Sequence, residues 1–157
     1  MHSILIDALI ALQAYVVVFI AVHDWVPLGS LNNVRGVHAA DSTLKLVVVT
    51  TLSTLPFAFG LGATIVYASA RFPGWLNIYL WVSYGVAVYG LIRAWWGPYL
   101  FYKAPARAAR YQAMFGGTHV FLPERNGVRP NTLHVSLHLV ILAIVGVLVL
   151  LRVYRPS

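Results

Sequence analysis

Between Leu46 and Ala70 the chain carries no charged side chain, and between Phe72 and Ile92 it again carries none. A hydrocarbon layer of ~30 Å needs about 20 mainly apolar residues as helix. Two further runs reach that length: Ser3 to Val22, interrupted only by Asp7 and Gln13, and Leu133 to Leu151, interrupted by Ser136 and by His134 and His138 near its start. None of the four alternates apolar with polar residues, as the wall of a membrane β-barrel does. The fold class read from this pattern is an all-α integral membrane protein. Its four transmembrane helices, at about residues 3–22, 46–70, 72–95 and 133–151, form one bundle with two polar loops capping one face.

Composition agrees. Of the 157 residues, 60% are hydrophobic and 10% charged, against about a quarter charged in ordinary soluble domains. A single small core cannot hide so much apolar surface from water, and intrinsic disorder requires the opposite balance. The chain has no cysteine, which removes disulfides, thiolate metal sites, iron–sulfur clusters and a cysteine nucleophile. Its net charge of +7 points to membrane topology and anionic lipid headgroups as partners, and nucleic acid is not expected.

Boundary residues carry their own signals. Trp25, Trp75, Trp95 and Trp96 sit at the ends of spans, where interfacial aromatics belong. Asp41, Ser42 or Thr43 can cap the second helix, and Asn131 or Thr132 the fourth. Arg71-Phe72-Pro73-Gly74 forms a tight turn that makes the second and third helices antiparallel neighbours. The first span lacks a basic leader and a clear cleavage site, so it reads as a retained helix. Four crossings put both termini on one face with Arg71, Arg152 and Arg155. The other face holds Arg35, Lys45, Arg93, Lys103, Arg107, Arg110, Arg125 and Arg129. The positive-inside rule then places the second group in the cytoplasm and both termini on the non-cytoplasmic side of a cell inner membrane.

The remaining ionisable residues gather on the same loop-rich face: His23, Asp24, His38, Asp41, His119, Glu124, His134 and His138. Two long connections, roughly 23–43 and 96–132, are expected to form the cap, and long loops are often functional. Residues 105–115 read as a loop helix, with Pro105 at its start and Gly116 at its end. It lies either among lipid headgroups, with Arg107 and Arg110 toward phosphates, or packed on the bundle. Beyond it, Gly116-Gly117 and Asn126-Gly127 flank a β-prone run, which suggests a small hairpin. Glu124 is expected to pair with Arg125 or Arg129, and Arg93, Arg125 and Arg129 are candidate anion-binding residues.

His134 and His138, four apart on one helix face, are candidate metal ligands together with His23 and Asp24. The Glu that follows the first His in zincin helices is absent here. Histidines hydrogen-bonded inside a polar cap are the competing reading, and a haem between His23 and His138 ranks behind a simple metal ion. Trp81, Tyr84 and Tyr89 line either a flat-ligand pocket or a packing face. Thr50, Thr51, Ser53, Thr54 and Pro56, followed by Gly60 and Gly62, suggest a kinked helix that another can approach closely. Asp7 is expected to reach water near the surface, with Arg152 as its partner.

Three functions fit these features. The first is an accessory or scaffold subunit that packs against larger membrane-protein partners or against itself. The second is a small membrane enzyme acting on a lipid or isoprenoid-like substrate, with His119, Glu124, His134 and His138 as candidate catalytic residues. The third is an oligomeric transporter or channel component.

Overall fold

The computed structural model describes residues 2–154. Arg155 lies outside them. Four helices are long and apolar enough to cross a membrane: α1 (His2–Val22), α3 (Thr43–Val66), α4 (Gly74–Leu91) with its continuation to Leu100, and α7 (Thr132–Val153). Between them come α2 (Val34–Ala40), α5 (Gly97–Leu100) and α6 (Pro105–Phe115). The second long helix begins three residues before the expected start and ends at Val66, so Ala68–Ala70 join the turn to α4.

Capping chemistry sets these boundaries. Ser42 accepts the Lys45 N–H at the start of α3, and Asn131 accepts the His134 N–H at the start of α7, each meeting one of the donors a helix start leaves open. At the α3–α4 turn the Asn77 side chain donates to the carbonyls of Phe72 and Pro73. The long helices touch in cyclic order, α1 with α3, α3 with α4, α4 with α7 and α7 with α1. Their neighbours run antiparallel, as Tyr15 against Ser136 and Trp25 against Thr50 require. Leu9 and Val16 from α1, Leu76, Leu80, Tyr84 and Leu91 from α4, and Ile141, Ile144 and Leu148 from α7 make the main core.

Several expectations from sequence fail in instructive ways. Residues 23–43 are not a structureless loop: Asn33 caps α2 by accepting the Gly36 N–H, and Asn32 ties His23 and Val26 through its amide. The run Thr118–Leu122 forms no strand, because His119 gives its N–H to Ser30 and its carbonyl to Thr132 instead of to a partner strand. Only Arg125 and Val128 exchange bonds, across a turn with Asn126 and Gly127 at φ 54° and 80°, as a two-residue hairpin turn demands. No ion pair joins Asp7 to Arg152 among the described residues, and Asp7 is exposed. Gly62 has open space around it, so Gly60 alone of the two lies against another helix.

The two connections are knitted to each other, and α2 lies on α6. Gly36 is the contact point: a Cβ there would sit 2.7 Å from the Ala113 carbonyl oxygen and 2.8 Å from that of Met114. Gly36→Ala must therefore push the two helices apart. The expected cost is about 2 kcal/mol, within the range for overpacking, read as a lowered unfolding midpoint in detergent micelles.

Candidate functional site, an imidazole and aromatic cluster beneath the cap

Pro98 has no N–H to return to the carbonyl four residues back, that of Ala94. The Gly97 N–H reaches Ile92, five residues back, which leaves the Arg93 carbonyl open as well. The helix widens into a π-turn over Ile92–Trp96. Such turns mark functional sites more often than plain helix does. Two side chains of α6 meet the released oxygens: Arg107 donates to Arg93 and Ala94, and the Tyr111 hydroxyl donates to Ala94 at 3.0 Å. Burial raises the Tyr111 phenol above its ordinary range, against the opposing charges of Arg107 and Arg110, so it stays a donor.

The widened turn swings Trp95 inward, where it is 6% exposed. Its ring stacks on Tyr111 at 4.2 Å and lies 4.7 Å from the His134 ring. The Phe115 ring lies 4.8 Å from that of His134, and the His23 ring lies 5.8 Å from that of His134. His134 and His138 project from one face of α7 with ring centroids 6.4 Å apart, as their spacing predicts, and Trp96 covers His138 at 5.9 Å.

The hydrogen bonds fix which ring nitrogens carry protons. Asn131 Oδ1 accepts the His134 backbone N–H, which orients the amide, and the same oxygen lies 2.7 Å from His134 Nδ1. Nδ1 must then donate, leaving Nε2 as the bare nitrogen. His23 Nδ1 donates to the Phe19 carbonyl at 3.0 Å, so the neutral ring turns a bare Nε2 toward Asp24 Oδ1 at 3.2 Å. Two acceptors at that distance need one proton between them. Desolvation raises the Asp24 carboxyl above its ordinary value, with the Asp41 charge adding and His23 and His38 opposing. His138 Nδ1 and Asn131 Nδ2 are buried without partners.

The other candidates are placed elsewhere. His119 is exposed, and its ring bonds to the Thr132 hydroxyl at 2.7 Å. Glu124 is exposed and forms no ion pair with Arg125 or Arg129 among the described residues. Arg125 instead lies over the Tyr99 ring at 5.9 Å, and Arg129 donates to the Leu122 carbonyl. Glu124 and Arg129 share the lining of a 90 Å³ pocket between α6 and the hairpin turn. Arg93 is exposed at the π-turn. Arg110 and Lys45 both bind Asp41 at 2.5 Å, so α6 is tied to the end of α2 and the start of α3, with Arg110 still exposed. These partners, Lys45 first, hold the Asp41 carboxyl below its ordinary value. Tyr84 is buried and Tyr89 is 65% exposed, so the aromatic residues of α4 do not converge. Among the described residues, no three His, Asp or Glu side chains stand close enough to hold a metal ion.

Sequence reasoning singled out the histidines but missed what surrounds them: Phe19, Trp95, Tyr111 and the Asn131 amide. Pro98 was the available signal, since it strands the Ala94 carbonyl.

Two outcomes follow. Arg107→Met leaves the π-turn carbonyls short of donors and is expected to cost about 2 kcal/mol, checked by micelle unfolding. The raised Asp24 favours the folded state below pH 4 and loses that contribution as pH rises through its folded pKa; the lowered Asp41 contributes above pH 4 and loses it as pH falls further. Asp24→Asn supplies a permanent N–H to His23. It is expected to raise the melting temperature at pH 7 and leave it unchanged near pH 3, as scanning calorimetry across pH will check.

No protein-family model, curated protein or solved structure matches this chain. The functional reading therefore rests on the residues themselves.

Proposed function

We propose that the four long helices form a bundle in a cell inner membrane, with both termini on the non-cytoplasmic side, and that the protein is an accessory or scaffold subunit packed against larger membrane partners. One observation carries this reading: the polar groups of the cap are engaged in holding the cap together. Asp41 binds Lys45 and Arg110, Arg107 and Tyr111 bind the π-turn, His38 binds the Asp24 carbonyl, and His119 binds Thr132. Groups so committed are poorly placed for proton transfer to a substrate. The flank of α3 supports the same reading. Only 11% of its apolar window is buried, against 33% for α7, and Leu44, Leu52, Leu55 and Phe59 stand outward from it. Lipid or a partner helix must cover these residues.

A second reading, a small membrane enzyme acting on a lipid or isoprenoid-like substrate, draws on the bare His134 Nε2 and the unpartnered His138 Nδ1. His23 Nε2, by contrast, is turned toward Asp24.

Photo-crosslinkers at Leu52 and Leu55, activated in native membranes, test the first reading. It expects one larger membrane protein as the main adduct, unchanged by His134→Gln. Adducts to lipid alone, with a free monomer in mild detergent, overturn it. Stoichiometric metal in the purified protein, lost in the His134/His138 double glutamine variant, would favour the second.

A further inference from the structure

At the end of the long helices opposite the cap lies an open cleft of about 900 Å³, ten times the volume of the 90 Å³ pocket beside α6. It forms where α1 begins, α7 ends and the chain turns from α3 to α4. Its walls are of two kinds. Ile6 of α1, Leu151 of α7 and Phe72 of the turn give an apolar side, while His2, Ser3 and Arg71 give a polar one. A cleft of this size is near the top of the range of about 300–1,000 Å³ for pockets that bury small organic molecules. A simple inorganic anion would leave most of it unfilled.

Arg71 sets the sign of the cleft. No other Lys or Arg, and no Asp or Glu, belongs to the lining. The side chain is exposed and forms no ion pair among the described residues. Asp7, one position beyond Ile6, and Arg152, one beyond Leu151, are exposed and stand outside the lining. Helix dipoles do not decide the matter, because two long helices start at this end and two stop there, so their partial charges oppose. The turn that carries Arg71 is held by its own bonds. Ala70 donates its N–H to Tyr67, and the Asn77 amide binds the carbonyls of Phe72 and Pro73.

A cation without a protein counter-charge, beside an apolar wall at the end of four apolar helices, matches a molecule with an anionic head and an apolar body. We propose that this cleft binds one anionic phospholipid, its phosphate held by Arg71 and its upper acyl chains laid against Ile6, Phe72 and Leu151. The guanidinium fork suits two phosphate oxygens at once. A choline head would bring a second cation beside Arg71, whereas a glycerol head brings hydroxyls to the side of the cleft shared by His2 and Ser3. The proposal uses the membrane placement given above and is independent of the accessory role, which is read from crosslinks on α3.

Native mass spectrometry of the full chain in mild detergent, with phosphatidylglycerol or phosphatidylcholine added, tests it. One phosphatidylglycerol per chain is expected, retained about fivefold better than phosphatidylcholine. Arg71→Gln should lower that retention about fivefold. Ala70→Trp should do the same with Arg71 in place, since residue 70 lines the cleft from an exposed position. Arg152→Gln should leave retention unchanged. Equal retention of the two lipids overturns the proposal, as does an equal loss in Arg152→Gln, which would show surface charge acting without a site. Displacement of the lipid by inorganic phosphate assigns the cleft to a free anion and overturns it too. Protein that stays dissolved in buffer without detergent would instead refute the membrane placement, a result distinct from any of these.

Discussion

A proline that cannot return a hydrogen bond organises the polar end of this molecule. Pro98 and the displaced Gly97 N–H leave the carbonyls of Ala94 and Arg93 without helical donors, and a carbonyl in an apolar setting must find another. Arg107 and Tyr111 answer that demand, and in doing so they anchor α6. Once α6 is anchored, Arg110 reaches Asp41, the α2 backbone meets that of α6 at Gly36, and Trp95 is held beneath His134. The cap is thus built outward from two unmet oxygens.

The same need for partners runs along α7. Asn131 serves as helix cap and as the group that sets the His134 tautomer, so one amide oxygen links the start of a helix to the chemistry of a ring. His23 is set by the Phe19 carbonyl of its own helix. In both rings Nδ1 is therefore fixed as a donor, to the Asn131 amide oxygen in one and to the Phe19 carbonyl in the other. This is an ordered imidazole cluster in a wall of aromatic rings, and its order comes from backbone and amide groups.

Much of the architecture was legible in the sequence because it depends on local quantities. Uninterrupted apolar length gave the four long helices, Pro105 and Gly116 bracketed α6, and serine and asparagine marked two helix starts. What escaped depends on encounters between distant segments. The seven-residue α2 has too short an apolar pattern to register, and Thr118–Leu122 has strand propensity that was overridden when His119 bonded to Ser30 and Thr132. Glu124 has basic neighbours in sequence, yet Arg125 turns to Tyr99 and Arg129 to a carbonyl. At the site, the spacing of His134 and His138 predicted a shared face correctly, but no local pattern announces which nitrogen Asn131 occupies.

The close seating of α2 against α6 has a bearing on the order of assembly. A helix of seven residues is far below the length that holds itself together in water, and its partner is synthesised some seventy positions later. Residues 34–40 must therefore wait as unformed chain while the intervening hairpin of apolar rods enters its place, and they wind up only when α6 arrives. The seat of α2 is thus completed only after α6 has been made, and the histidine cluster beneath the cap only after α7, which carries His134 and His138, has followed.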